Sequence, residues 1–233
     1  GMTAKILQLV NSSYFSLPRH ISSPEQAVFL LGLDTIKSLV LSIQVFSRFK
    51  LKNMPEGFLS RLWDHSMIMA QTSKRIAAQE RQEQVVIDNS FMAGLLHDSG
   101  KLVMASCFDD QYGELVSSVK DTGLMSKKEK EIFDVTHAEA GAYLMGLWGL
   151  PHSIIEAIAF HHAPGRSMTG QFSPLTAVYI ADVLEQEKSG SFTNKSEVEI
   201  DYEYLSAMEL RSIYPFLESM GTDGPGEKRT YVQ

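Results

Sequence analysis

Histidine and aspartate side chains recur along this chain in an order that could hold metal ions. Asp98 directly follows one histidine, and Asp182 lies further along. Imidazole nitrogens and carboxylate oxygens, in the absence of thiolates, suit iron, manganese, zinc, cobalt or nickel. Any one histidine taken alone is more often a hydrogen-bonded core or surface residue than a ligand. Only the histidines and aspartates taken together indicate a metal site. The seven histidines are His20, His65, His97, His137, His152, His161 and His162.

Hydrophobic periodicity places several of these polar side chains on the buried faces of helices. Buried imidazoles and carboxylates are costly without partners, and groups from different helices of one bundle can satisfy one another by sharing metal ions. The apolar stripes concerned are Leu62, Met69, Thr72 and Ile76 around His65; Phe91, Leu95 and Leu102 around Asp98; and Leu175 and Val178, continued by Asp182 and Glu185.

Capping and turn residues divide the chain into helices, and no segment has a convincing strand pattern. We therefore predict an all-α bundle. Ser23 and Thr136 each begin a capping box, and Asp34 is expected to cap the second helix. The predicted helices cover residues 24–31, 34 onwards, about 59–79, about 89–106, about 111–120, 137 to near 149, a short helix that Pro151 opens, 174 to an end at 189–190, and about 202–220.

Composition excludes several classes of protein. The 233 residues are 44% hydrophobic, which excludes a disordered chain. Lys and Arg number 21 against 28 Asp and Glu, a net charge of −7 that argues against sequence-independent nucleic-acid binding. The single cysteine, Cys107, rules out an internal disulfide and a cysteine zinc cluster, and we expect it to be buried. No apolar run reaches the length of a membrane span and no secretory signal is present, so we expect a cytoplasmic protein.

The ordered pattern resembles the HD-domain superfamily of metal-dependent phosphohydrolases, which is named for adjacent His and Asp ligands. The same order appears in the HD-GYP cyclic-dinucleotide phosphodiesterases. Within the superfamily, residues 6–15, 21–27 and 30–34 resemble the HDOD family more closely, described as HD-related output domains of bacterial signalling. The segments that carry the HD resemblance are Trp63-Asp64-His65-Ser66, Gly94-Leu95-Leu96-His97-Asp98-Ser99-Gly100-Lys101, His137, Phe160-His161-His162 and Ala181-Asp182-Val183.

The resemblance implies an HD-domain-like helical bundle with a smaller N-terminal helical lobe. We expect the lobe in residues 1–50, incomplete at its start, the metal-binding bundle in residues 58–220, and a disordered tail in residues 221–233. A polar break that contains Pro55 separates lobe from bundle. The lobe is apolar enough that we expect it to dock over the metal site.

The resemblance also implies two divalent metal ions, with iron the first expectation. Asp98 would bridge them, and such a pair can clamp both sides of an in-line displacement at phosphorus. Lys101, one helical turn beyond His97 and Asp98, would touch a substrate phosphate or the nucleophile, although a solvated helix lysine is an equally good interpretation. Catalysis would thus fall to Asp98 and Lys101. His65, His97 and Asp182 would complete the shell of one ion, and His137, His161 and His162 that of the other.

Two functions follow from the resemblance. The first is a bacterial signalling protein whose partners are other signalling proteins or a small nucleotide-like ligand, with no nucleic acid and no membrane. The alternative is a metal-dependent phosphohydrolase or phosphodiesterase that acts on a nucleotide or cyclic dinucleotide. The residues after His162 read Ala163-Pro164-Gly165-Arg166 and lack a Gly-Tyr-Pro motif, so specificity for cyclic-di-GMP does not carry over. His20 and His152 receive no role.

Overall fold

The protein is all-α, as predicted. The structure, a computed structural model, describes residues 1–49, 51–119, 122–167, 170–188, 201–208 and 210, and it contains no strand within these ranges. The helices are α1 (Met2–Val10), α2 (Pro24–Leu31), α3 (Leu33–Arg48), α4 (Phe58–Gln79), α5 (Gln84–Leu96), α6 (Gly100–Ser118), α7 (Thr122–Phe133), α8 (His137–Leu147), α9 (His152–Phe160), a 3₁₀ turn (Pro164–Arg166), α10 (Pro174–Lys188) and α11 (Tyr202–Ala207).

Helices α1, α2 and α3 fall within the predicted N-terminal lobe. The Ser23 hydroxyl accepts a hydrogen bond from the Gln26 backbone at 3.3 Å, which confirms the cap. The Gln26 side chain accepts from the backbone of Ser22 rather than Ser23, so the predicted capping box is only half formed. The predicted cap at Asp34 is wrong. Gly32, with φ +85°, ends α2 and also precedes α3, so Asp34 lies in the first turn of α3 and pairs with Lys37 instead.

The antiparallel pair α4 and α5 lies between this lobe and the other helices. Met67 and Phe91 point to the lobe, where they share a core with residues of α1–α3. Met69 and Leu96, on the opposite faces of the same two helices, join the larger core built with α6 and α8–α10. Helices α4 and α5 therefore contact both the N-terminal lobe and the larger core.

The predicted helix over residues 89–106 is wrong in its bounds. It divides into α5 and α6, which are separated by His97, Asp98 and Ser99. The physical reason is Gly100, where a Cβ atom would collide with the backbone of His137 and Gly141 on α8. Helix α6 begins here, and its backbone passes α8 at a distance that only glycine permits.

Further differences concern the lengths of helices. The helix predicted over 111–120 is the continuation of α6 beyond a kink at Asp109, where φ is +36°. Helix α7 was not predicted. The capping box at Thr136 is confirmed by both of its hydrogen bonds. Helix α11 begins at Tyr202 as predicted, but residues 211–220 and the tail 221–233 lie outside the described residues. Cys107, expected to be buried, is exposed.

No single helix in the described ranges has both the length and the apolar composition that a membrane crossing requires. Helices α2 and α3 meet that test only when they are taken together, and they are bent by 117° to one another.

Candidate metal centre

Six of the seven predicted ligands come together in two adjoining groups. Within each group, one ligand atom from every residue lies within 4.8 Å of the others. We call the first group A and the second group B. Group A consists of His65, His97 and Asp98, and group B of His137, His161 and His162.

Helix ends position most of these side chains. His97 and Asp98 directly follow α5, His137 is the first residue of α8, and His161 and His162 directly follow α9. At the ends of helices, side chains from several elements can converge on one point without the helices having to run side by side. Only His65, on α4, comes from the interior of a helix.

The Asp98 carboxylate lies between the two groups and turns one oxygen to each. Oδ1 is 3.2 Å from His137 Nε2 and 3.8 Å from His161 Nε2. Oδ2 is 3.5 Å from the Nε2 atoms of both His65 and His97. The side chain is 2% exposed, and Oδ1 has no hydrogen-bond partner among the described residues. A buried anionic oxygen without a donor is unfavourable, and a cation between the groups would satisfy it.

The imidazoles are oriented with Nε2 toward this point. The Nδ1 atoms of His97 and His161 donate to the carbonyl oxygens of Gly94 and Ile158, each at 2.8 Å. A ring whose Nδ1 carries the proton presents the lone pair of Nε2, which is the form that binds metals. The Nε2 atoms of His137 and His162 approach to 3.0 Å. This donor set therefore fits transition-metal ions.

Two carboxylates without a predicted role support the imidazoles from behind. Glu129 Oε2 accepts from the Nδ1 atom of His137 at 2.6 Å and from its backbone N–H at 2.8 Å. The Tyr112 hydroxyl donates to the other oxygen of Glu129 at 2.7 Å. Glu185 Oε2 lies 2.8 Å from His65 Nδ1. Carboxylates in this position raise the basicity of metal-binding imidazoles.

A sequence signal for both carboxylates existed. Glu185 is on the inward stripe of α10 that the periodicity had indicated, yet it received no role. Glu129 lies on α7 between Met125 and Phe133 at a spacing of four residues, which places a carboxylate on an apolar face. The charged sequence of α7 obscured this pattern.

Electrostatics divide the histidines into two kinds. Burial lowers the pKa of His97 to about 4, and it also lowers the pKa values of His161 and His162 well below the usual range, with the neighbouring imidazoles contributing. Burial opposes charge on His65 and His137 too, but nearby carboxylates outweigh it and raise both pKa values. The three neutral imidazoles are in the protonation state that metal binding requires.

Asp98 remains ionised in spite of its burial. Desolvation disfavours the carboxylate, but the charge of Lys101 and the adjacent imidazoles hold its pKa well below the usual range. Lys101 Nζ donates to Asp98 Oδ2 at 2.6 Å. The lysine side chain is only 16% exposed, so the interpretation of Lys101 as a solvated helix lysine is wrong.

The seventh predicted ligand, Asp182, is placed outside both groups. It lines the same cavity as group A and accepts a hydrogen bond from Gln186 at 2.8 Å. Burial raises its pKa. Its role as a ligand remains a prediction. His20 and His152 are exposed and separate from the site.

A cavity of about 350 Å³ opens beside group A. Lys101 and Arg61 supply cationic groups to it, and its apolar wall includes Phe58, Val116 and Met125. No described residue of the N-terminal lobe lines it. The expectation that the lobe docks over the metal site is therefore wrong for this cavity, although Val45 and Phe46 of α3 do pack in the larger core.

Comparison with known proteins agrees with this architecture. The sequence model of the HDOD domain family matches residues 1–164. An uncharacterized protein of Treponema pallidum (strain Nichols) is 26% identical over 163 residues, which cover 70% of this chain and 31% of the relative. The chain thus spans less than a third of the length of this curated relative.

Three solved structures share the fold. An HDOD domain protein of unknown function from Geobacter sulfurreducens matches with a TM-score of 0.73 and 25% identity over 94% of this chain and 78% of its own. A proposed signal transduction protein from Marinobacter aquaeolei VT8 has a TM-score of 0.70 and 18% identity, over 94% and 49%. A proposed phosphohydrolase from Shewanella amazonensis SB2B has a TM-score of 0.68 and 20% identity, over 94% and 77%.

Proposed function

The chain belongs to the HDOD domain family, and on this basis we propose that it is a bacterial signal-transduction module built around a dinuclear metal centre. The single observation that carries the metal centre is the division of the Asp98 oxygens between two histidine groups. Groups A and B would hold one ion each, and Asp182 would join group A. Such ions supply concentrated positive charge, which can stabilise phosphoryl oxygens. Iron is our first choice, with manganese, zinc, cobalt or nickel as alternatives.

Contacts between the lobe and α4 support a signalling role. The Tyr14 hydroxyl donates to Asp64 Oδ1 at 2.5 Å, and Asp64 directly precedes His65 of group A. Lys74 on the same helix donates to Thr35 of α3 at 2.9 Å. A change in the position of His65 on metal binding would therefore reach the lobe along one helix. Partners would be other signalling proteins or a small nucleotide-like ligand, in a bacterial cytoplasm.

Hydrogen–deuterium exchange tests this route. We expect metal loading to slow exchange in α1–α3 as well as around the metal groups, and Tyr14→Phe to weaken the effect in the lobe alone. Tyr143→Phe, at an exposed tyrosine of α8, is the matched control and should leave the effect unchanged. Protection that remains confined to the metal groups would argue against signal transfer to the lobe.

The cavity beside group A favours phosphohydrolysis as a second candidate function. Lys101 reaches both Asp98 and this space, so it could contact a substrate phosphate. The test is a panel of cyclic dinucleotides, cyclic mononucleotides and nucleoside phosphates with the metal-loaded protein. We expect weak or no turnover, least of all with cyclic-di-GMP. Rapid turnover that His137→Ala abolishes would make the enzyme the leading function.

A further inference from the structure

The two ligand groups differ in the charge that already surrounds Asp98. We infer that Lys101 acts as the counter-cation of Asp98 in group A, so that one ion binds tightly at group B and a second binds only weakly at group A. This inference rests on the proposed metal centre and deepens it, because it assigns an order of binding and the residue that sets it.

The Lys101 ammonium group lies on the group A side of Asp98. Lys101 Nζ is 2.6 Å from Asp98 Oδ2, which is the oxygen that faces His65 and His97. An ion at group A would use that oxygen and would meet a full positive charge at contact distance, where screening by solvent is weak. Oδ1 faces group B and has no such cation.

The two groups also differ in the number and burial of their imidazoles. Group B offers three imidazoles, of which His137 and His161 are fully buried and fixed by Glu129 and by the Ile158 carbonyl. Group A offers two imidazoles, one of them 28% exposed, and its predicted carboxylate Asp182 does not join the cluster of ligand atoms. Fewer preorganised donors give a weaker site.

A consequence concerns the cavity. Lys101 also lines the space beside group A. If a second ion were bound at group A through Asp98, the Lys101 ammonium would have to give up its contact with that carboxylate, and the cavity is the space open to it. The second ion would thereby create a free cation next to the metal centre, and an anionic ligand in the cavity would strengthen binding of that ion.

Metal titration with Co²⁺, followed by calorimetry and by visible absorption, tests the inference. For the wild type we expect one tight ion and a second at least about tenfold weaker. Lys101→Met should tighten the second ion by roughly tenfold to a hundredfold, the usual range for coupled sites. Lys101→Arg keeps the charge and should behave like the wild type. Lys128→Met removes an exposed lysine that pairs with Glu131 on the surface of α7, and it serves as the matched control.

Histidine variants provide a second measurement that does not depend on folding of the lysine variants. His65→Ala should retain the tight ion, whereas His162→Ala should lose it. Two equally tight ions in the wild type, or a Lys101→Met protein with an unchanged second ion, would overturn the inference and leave the metal centre intact. Failure of every variant and the wild type to bind Co²⁺ would overturn the metal centre itself.

Discussion

A single oxygen of Glu129 contacts His137 twice, at 2.6 Å from Nδ1 and at 2.8 Å from the backbone nitrogen. The imidazole and its own main chain are thus held by one carboxylate. His137 also begins α8, so the contact fixes the start of that helix together with the ring. The tautomer and orientation of the ring are set by a residue that lies outside the predicted ligand set, while Asp98 and Glu129 together raise its pKa.

Replacement of Glu129 tests this support. We expect Glu129→Gln to weaken binding of the first metal ion by about 10–100-fold, the usual effect of losing a carboxylate behind a ligand imidazole. Glu131→Gln changes an exposed acid of the same helix that pairs with Lys128, and it should have no effect. Isothermal titration of both variants with the metal ion measures these affinities. Equal affinities in folded proteins would show that Glu129 does not act on the metal centre.

The bridging role of Asp98 predicts an all-or-none loss of metal. Asp98→Ala should reduce metal content, measured by elemental analysis of protein purified without chelator, to below one-tenth of the wild-type value. Asp182→Asn should keep the tight ion, because Asp182 lies outside both groups. Full metal content in Asp98→Ala would rule out the bridge.

Stability of the metal-free protein should fall in acid. The pKa of His97 is about 4 in the folded protein against 6.5 ordinarily, so the unfolded chain takes up the proton first. The contribution of neutral His97 to the stability of the folded state is therefore full above pH 6.5 and is lost as the pH falls toward 4. His161 and His162 act in the same direction, while the raised pKa values of His65 and His137 oppose them. Melting curves of the protein in chelator at pH 7.5, 6 and 5 measure the net decline in its melting temperature.

Metal should raise the melting temperature most at neutral pH. Binding to the folded state stabilises it by about 2.7 kcal/mol at one hundred times the dissociation constant. Protons compete for the imidazoles, so the difference between metal-loaded and chelated protein should shrink toward pH 5. Identical curves at neutral pH with and without chelator would count against the site.

The crossing of α6 and α8 predicts opposite effects for two glycines. Gly100→Ala forces a Cβ atom into the His137 backbone and should destabilise the fold by about 1–3 kcal/mol. Gly146→Ala, within α8, meets nothing closer than 3.9 Å and should stabilise it by about 0.5–1 kcal/mol through the lower entropy of the unfolded chain. Urea unfolding of both variants measures the signs, and a stable Gly100→Ala protein would contradict the close crossing.

The local signals of the sequence predicted most helices well. Ser23 and Thr136 carry their own capping partners within four residues, so local chemistry was sufficient there. The order of histidines also predicted six residues that the structure brings together.

The parts that the sequence did not reveal depend on distant contacts. The division of the helix at His97 depends on α8, which begins far along the chain, and no local breaker other than Gly100 marks it. Lys101 was ambiguous because its partner, Asp98, is on the same helix end and its burial comes from other helices. Helix α7 is mostly polar, so periodicity did not detect its one buried carboxylate.

The placement of ligands at the ends of separate helices has a consequence for folding kinetics. Groups A and B draw on α4, the α5–α6 turn, α8 and the end of α9, so the complete centre, with Asp98 between the two groups, requires all four of these segments to have docked together. Contacts between separate helices form later than the local contacts within each helix. We expect the centre to be absent from the folding transition state, so that bound metal slows unfolding and leaves the folding rate almost unchanged. The bound metal would then give kinetic stability to a bundle that is already folded.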